Sequence, residues 1–115
     1  MGQPIVHFEI IGADHKRSHA FYRDVFGWKI GDPTGPQMGF YGLVDGESSG
    51  LAGGIGEGDP RTTIYVQVPD LQATLDKATS RGAKVLMPPT EIPGVDVTLA
   101  MFSDPDGNVM GLLKG

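Results

Sequence analysis

The sequence predicts an α+β fold made of two copies of one strand, helix, strands unit. Three observations predict it. Two segments alternate as strands do, around Ile5 to Ile10 and Thr63 to Val68, and each is followed by an aspartate and then by apolar residues at helical spacing. Both helical stretches run out at a glycine. Equivalent positions keep a nearly constant offset, His7 with Tyr65, Asp14 with Asp70 and Gly27 with Gly82. The repeats cover about residues 4–56 and 61–115 of a single domain, 1–115.

In the first strand Val6, Phe8 and Ile10 form an apolar side, leaving Ile5, His7 and Glu9 on the other. The second leading strand places Ile64, Val66 and Val68 on the apolar side and Thr63, Tyr65 and Gln67 opposite. Asp14 and Asp70 can cap the helices that follow, because a carboxylate accepts the unpaired N–H groups of a first turn. The first helix, around Ser18 to Phe26, is expected to bury Ala20, Phe21, Val25 and Trp28. The second is expected to bury Leu71, Thr74, Leu75 and Ala78. Apolar stretches then continue each half, Phe40 to Val44 and Leu51 to Ile55, Val95 to Phe102 and Val109 to Leu113. Asp104-Pro105-Asp106-Gly107-Asn108 carries the strongest hairpin signal, since proline presets the turn and glycine accepts a positive φ.

Composition bounds the chemistry. Nine Lys and Arg against fourteen Asp and Glu give a net charge of −5, which argues against nucleic acid or an anionic membrane as partner. No cysteine is present, so disulfides, thiolate metal sites and cysteine nucleophiles are excluded, and a cytoplasmic setting is the default expectation. No window approaches the roughly 18 apolar residues of a spanning helix. No Gly-x-Ser-x-Gly elbow or phosphate-binding glycine loop occurs. The 18 glycines and nine prolines fall between the periodic segments, where turns belong.

Ile5-Val6-His7-Phe8-Glu9-Ile10, Phe21-Tyr22-Arg23-Asp24-Val25-Phe26-Gly27-Trp28 and Phe102-Ser103-Asp104-Pro105-Asp106-Gly107-Asn108 together resemble the vicinal oxygen chelate superfamily. This group holds glyoxalases, bleomycin-resistance proteins and extradiol dioxygenases. The resemblance implies two βαβββ modules that form a cupped mixed sheet with helices outside, enclosing a cleft for a divalent metal or a ligand. It also implies metal ligands on the first and last strand of each module, positions that fall here on His7, about Gly53, Tyr65 and Gly111. Only His7 is a good ligand among these, whereas a catalytic site needs about three donors. Glu9 follows on the same strand face, roughly 6 to 7 Å along the backbone, where a shared metal would be strained. No cofactor is expected, and the donor count argues against a divalent metal.

The expected function is therefore binding of a small polar or aromatic molecule in the cleft. The alternative is a lyase or isomerase in which His7 and Glu9 transfer protons, with or without a metal. Whether any reaction is catalysed is left open. Glu9 could equally be a solvated carboxylate on the sheet, but Gln67 follows Tyr65 as Glu9 follows His7, which favours a shared polar set. Tyr65 either donates its hydroxyl or packs as a strand aromatic. Gly53 and Gly111 mark places of close approach, and Trp28, Met38, Phe40 and Tyr41 are candidates for cleft wall or core. His15 and His19, four apart on the first helix, are read as a solvated face with Lys16 and Arg17. The resemblance implies a homodimer as a fair expectation.

Overall fold

The computed structural model describes residues 2–115. Its elements run β1 (Ile5–Gly12), α1 (His15–Phe26), β2 (Gly42–Val44), α2 (Gly46–Ser49), β3 (Gly53–Glu57) and β4 (Arg61–Val68). Then follow α3 (Leu71–Thr79), β5 (Lys84–Glu91), β6 (Thr98–Ser103) and β7 (Val109–Lys114). The pairing is mixed. β1 with β3 and β4 with β7 run parallel, whereas β2 with β3, β5 with β6 and β6 with β7 run antiparallel. No helix among the described residues is long and apolar enough to cross a membrane.

The chain divides into two compact units, one of His7–Thr63 and the other of residues 2–6 with Ile64–Gly115. In the second unit the strands lie in the order β4-β7-β6-β5. Its core joins Val68, Leu71, Leu75, Ala100 and Leu112, with Val66 and Phe102 packed against them. Leu71 and Leu75 are the buried residues of α3, and Thr74 and Ala78 are half-buried, so the expected helical stripe is the one that packs. Asp70 caps that helix by accepting from the Ala73 N–H at 2.9 Å. Helix α3 ends at Thr79, and the chain reverses three residues later at Gly82, whose φ is 100°. Pro88 and Pro89 sit in β5, where two register shifts against β6 interrupt the ladder and relieve the missing donors. The expected strand from Val95 begins only at Thr98, because the Ile92 N–H donates to the Val97 carbonyl and closes a turn.

The 104–108 turn forms as its residues predict. Asp104 accepts from the Asp106 and Asn108 N–H groups and from the Asn108 amide, all at 2.9 Å. The Asn108 hydrogen bonds, side chain first, hold the Asp104 carboxyl below the usual carboxylate range.

The first unit has the strand order β2-β3-β1. Its core is Ile30, Val44 and Ile55, with Phe8, Ile10, Tyr22 and Trp28 packed against it. The segment after α1 contributes only an isolated bridge, Ile30 with Val44, where the second unit has the long strand β5. The strands expected from Phe40 and Leu51 are correspondingly short and begin at Gly42 and Gly53.

Helix α1 departs most from expectation. Its cap is Asp14, which accepts from the Lys16 N–H at 3.0 Å, and it stops at Gly27, φ 70°. The face it buries is different from the expected one. Phe21 and Val25 are more than half exposed and Ala20 is exposed, while His19 is 3% exposed. The reason is local: His19 reaches across to the Ile55 carbonyl at 2.8 Å, and Gly42 leaves room for its ring. A carbonyl only accepts, so Nε2 of His19 carries the proton. Rotating α1 onto that hydrogen bond turns Phe21 and Val25 outward.

Candidate functional site on the polar face of β1

Alternation along β1 places His7 and Glu9 on the same face, and the parallel register sets Gly54 of β3 beside Glu9. Two side chains from elsewhere in the first unit meet them. The Tyr41 hydroxyl lies 2.8 Å from His7 Nε2, with the two rings near parallel at 17° and 6.4 Å between centroids. Arg61, at the start of β4, brings its guanidinium to 3.0 Å from the Glu9 carboxylate and also donates to the Thr63 hydroxyl. Glu9 is 9% exposed, so this is a carboxylate held in the protein and not a solvated one.

Burial pushes the His7 imidazole below its ordinary value of 6.5, and the charge of Glu9 offsets part of that effect. His7 is therefore neutral near pH 7, with a ring nitrogen able to accept a proton. Glu9, engaged with a cation, supplies fixed negative charge. The two carry different chemistry: an imidazole base, and a carboxylate that sets the local field.

Glycines make the site possible. A Cβ on Gly54 would fall inside the Tyr41 ring, and one on Gly56 would come to 2.9 Å from Tyr41 Cδ1. Gly53 pairs with Phe8 and lies under the Phe8 ring, on the apolar face of β1 away from His7. In the second unit Gly111 pairs with Tyr65 and lies under its ring. Tyr65 is 4% exposed there. Gln67 is half-buried against Gly115, and its N–H donates to the Pro4 carbonyl at 2.9 Å.

The other expected site residues have structural company. Trp28 stacks on Tyr22 at 5.4 Å and 10° and sits 5.4 Å from Phe8, so it is a wall of the first unit's core. Phe40 stacks on His15 at 4.2 Å and 8°, with a φ of 48° that side chains seldom adopt. His15 is not on a solvated face. Its N–H and Nδ1 both donate to one Glu57 oxygen, at 3.0 and 2.9 Å. These bonds, the backbone one first, hold the Glu57 carboxyl below its ordinary range. Tyr41 and Arg61 join the site; Tyr41 stood in the sequence as a candidate for wall or core, whereas nothing in strand alternation pointed to Arg61.

The four positions that resemble family ligand positions do not fit a metal, since Gly53 and Gly111 carry no donor and rings cover both. Elsewhere, donor atoms of Asp14, His15 and Glu57 lie within 4.8 Å of one another. Asp14 already caps α1 and His15 already donates to Glu57, and the positive end of a helix disfavours a cation there.

Residues 4–112 match the model of the Glyoxalase/Bleomycin resistance protein/Dioxygenase superfamily. CFP32 of Mycobacterium bovis and CFP32 of Mycobacterium tuberculosis are each 31% identical over 107 residues, which cover 86% of this chain and 41% of theirs. The chain thus spans about two fifths of the length of these curated relatives. A methylmalonyl-CoA epimerase from Mycobacterium tuberculosis superposes with a TM-score of 0.71 at 16% identity, over 96% of this chain and 86% of that one. A hypothetical protein of Bacillus halodurans reaches 0.76 at 11% identity, over 100% and 96%. A Vibrio splendidus member of the same superfamily reaches 0.69 at 14%, over 99% and 100%.

Proposed function

The chain belongs to the glyoxalase/bleomycin resistance protein/dioxygenase superfamily, and on that premise we propose that it binds a small polar or aromatic molecule at the β1 face without a metal. The observation that carries this reading is the pair of contacts on one strand face, His7 with Tyr41 at 2.8 Å and Glu9 with Arg61 at 3.0 Å. They offer an imidazole, a phenol, a carboxylate and a guanidinium within one small region, bordered by glycine backbone. Such a set reads hydrogen-bonding groups and flat rings together. The proposal includes a homodimer in a cytoplasmic setting.

A thermal-shift screen of small polar and aromatic molecules tests it, because a ligand of the native state raises the melting temperature whatever its chemistry. A hit is expected with the native chain and is expected to weaken at least about tenfold in His7→Ala, roughly the 1.4 kcal/mol of one good hydrogen bond. Hits that bind His7→Ala unchanged would remove His7 from the site. One tightly held transition metal per chain, after purification without chelators, would overturn the metal-free part.

A second reading has its own support. Burial keeps His7 deprotonated near neutral pH, as a general base needs to be, and this favours a lyase or isomerase that moves a proton through His7. In that reading Glu9 sets the field and does not itself exchange the proton, being paired with Arg61.

A further inference from the structure

The placement of Tyr41 is over-determined. Its N–H donates to the Thr34 hydroxyl at 2.8 Å and its carbonyl accepts from the Thr34 N–H at 3.0 Å. The two residues before it, Gly39 and Phe40, both take left-handed backbone, φ 68° and 48°. That conformation is unfavourable for phenylalanine and persists only where neighbours enforce it. They do so here: the Phe40 ring is stacked on His15, its N–H donates to the Gly35 carbonyl at 3.2 Å, and the Gly39 carbonyl accepts from the Glu57 N–H at 2.8 Å. The outcome is a phenol packed closely against Gly54 and Gly56 with its hydroxyl on His7 Nε2. Strain, two glycines and a clasp by a single threonine all serve one side chain.

We propose that Tyr41 is the specificity-determining residue of the His7 site: its ring governs what can reach Nε2, and its hydroxyl orients the imidazole. The inference rests on the small-molecule reading of the β1 face and adds the shape of what that face admits. With Tyr41 in place, a ligand meets His7 beside a phenol wall. Without it, the glycine surface of β3 is uncovered beside His7, leaving a flat recess the size of one six-membered ring with a hydrogen-bonding group at its end.

Tyr41→Phe, Tyr41→Ala and Gly54→Ala separate the two roles. The first keeps the ring and deletes the hydroxyl, the second opens the recess, and the third evicts the ring while keeping both partners. The 15N resonance of His7 Nε2 reads the hydrogen bond directly, whether or not a natural ligand is found. It is expected to shift in Tyr41→Phe and in Gly54→Ala alike. An unchanged resonance in folded Tyr41→Phe would overturn the orienting role. p-Cresol, the severed side chain of tyrosine, is expected to raise the melting temperature of Tyr41→Ala and not that of the native chain, and toluene to raise it less. Equal effects of p-cresol on both proteins, or of p-cresol and toluene on the variant, would overturn the role in specificity. If Tyr41→Ala does not fold, p-cresol is applied to Tyr41→Ser, which opens the same recess, with the same expectations. A failed screen with intact NMR and p-cresol results would sink the small-molecule reading alone.

Discussion

The Glu9 side chain, 11% exposed on β1, is met at 3.0 Å by the Arg61 guanidinium, whose side chain stays 37% exposed at the start of β4. An ion pair with one buried end is asymmetric. Removing the exposed cation takes the guanidinium from a buried carboxylate, whereas removing both charges leaves no such charge to compensate. Arg61→Ala is expected to cost about 1–3 kcal/mol in urea unfolding, discounted from a fully buried pair because the guanidinium is partly solvated. Glu9→Gln combined with Arg61→Ala is expected to recover part of that loss. A single-variant cost below about 0.5 kcal/mol would show the pair to be a surface contact.

His7 gives stability a pH dependence of known sign. Its pKa lies below 6.5 in the fold because burial disfavours the imidazolium, with Glu9 opposing, and returns to about 6.5 in the unfolded chain. The unfolded state therefore takes up the proton first as pH falls. Stability should be full above about 6.5 and should decline as pH drops from there through the lower folded value, after which this contribution is exhausted. His7→Gln should flatten that part of the curve, measured as unfolding free energy between pH 7.5 and 5. An identical slope in the variant would assign the dependence to other groups.

Glu57 acts in the same direction at lower pH. Two hydrogen bonds from His15 keep its carboxyl below the ordinary 4.5, so its contribution is present above about that value and is lost as pH falls through the folded one. Glu57→Gln should remove this acid-limb loss. It should also speed amide exchange at His15, whose N–H loses a charged acceptor at the start of α1. Unchanged exchange at His15 would mean that the clasp does not hold the helix start.

Both N-caps, the stripe of α3 and the 104–108 turn were legible because each is local: a carboxylate before a helix, a helical period, a Pro and a Gly at fixed places. The polar face of β1 was legible for the same reason, since alternation alone joins His7 to Glu9. What period cannot supply is the partner across the fold. Arg61 is 52 positions from Glu9 and Tyr41 is 34 from His7, and neither spacing has meaning until β1 pairs with β3. Gly54 was masked by its neighbour Gly53, because one residue of register decides which of the two lies on the polar face.

Helix α1 turns that same limit into a prediction. Hydropathy ranks Phe21 and Val25 above His19, yet Phe21 is 53% exposed and His19 is 3% exposed. The helix settles on His19 because its Nε2–H bonds the Ile55 carbonyl in the interior, and losing a buried hydrogen bond costs more than leaving a phenyl ring exposed. His19→Ala should therefore destabilise the chain by about 2–4 kcal/mol, through a cavity and a lost buried hydrogen bond together. Phe21→Ser, the larger loss of hydrophobicity, should stay within about 1 kcal/mol, since more than half of the ring is already in water. Urea unfolding of the two variants side by side decides it. The reverse order would mean that α1 packs on Phe21 and that the His19 contact is incidental.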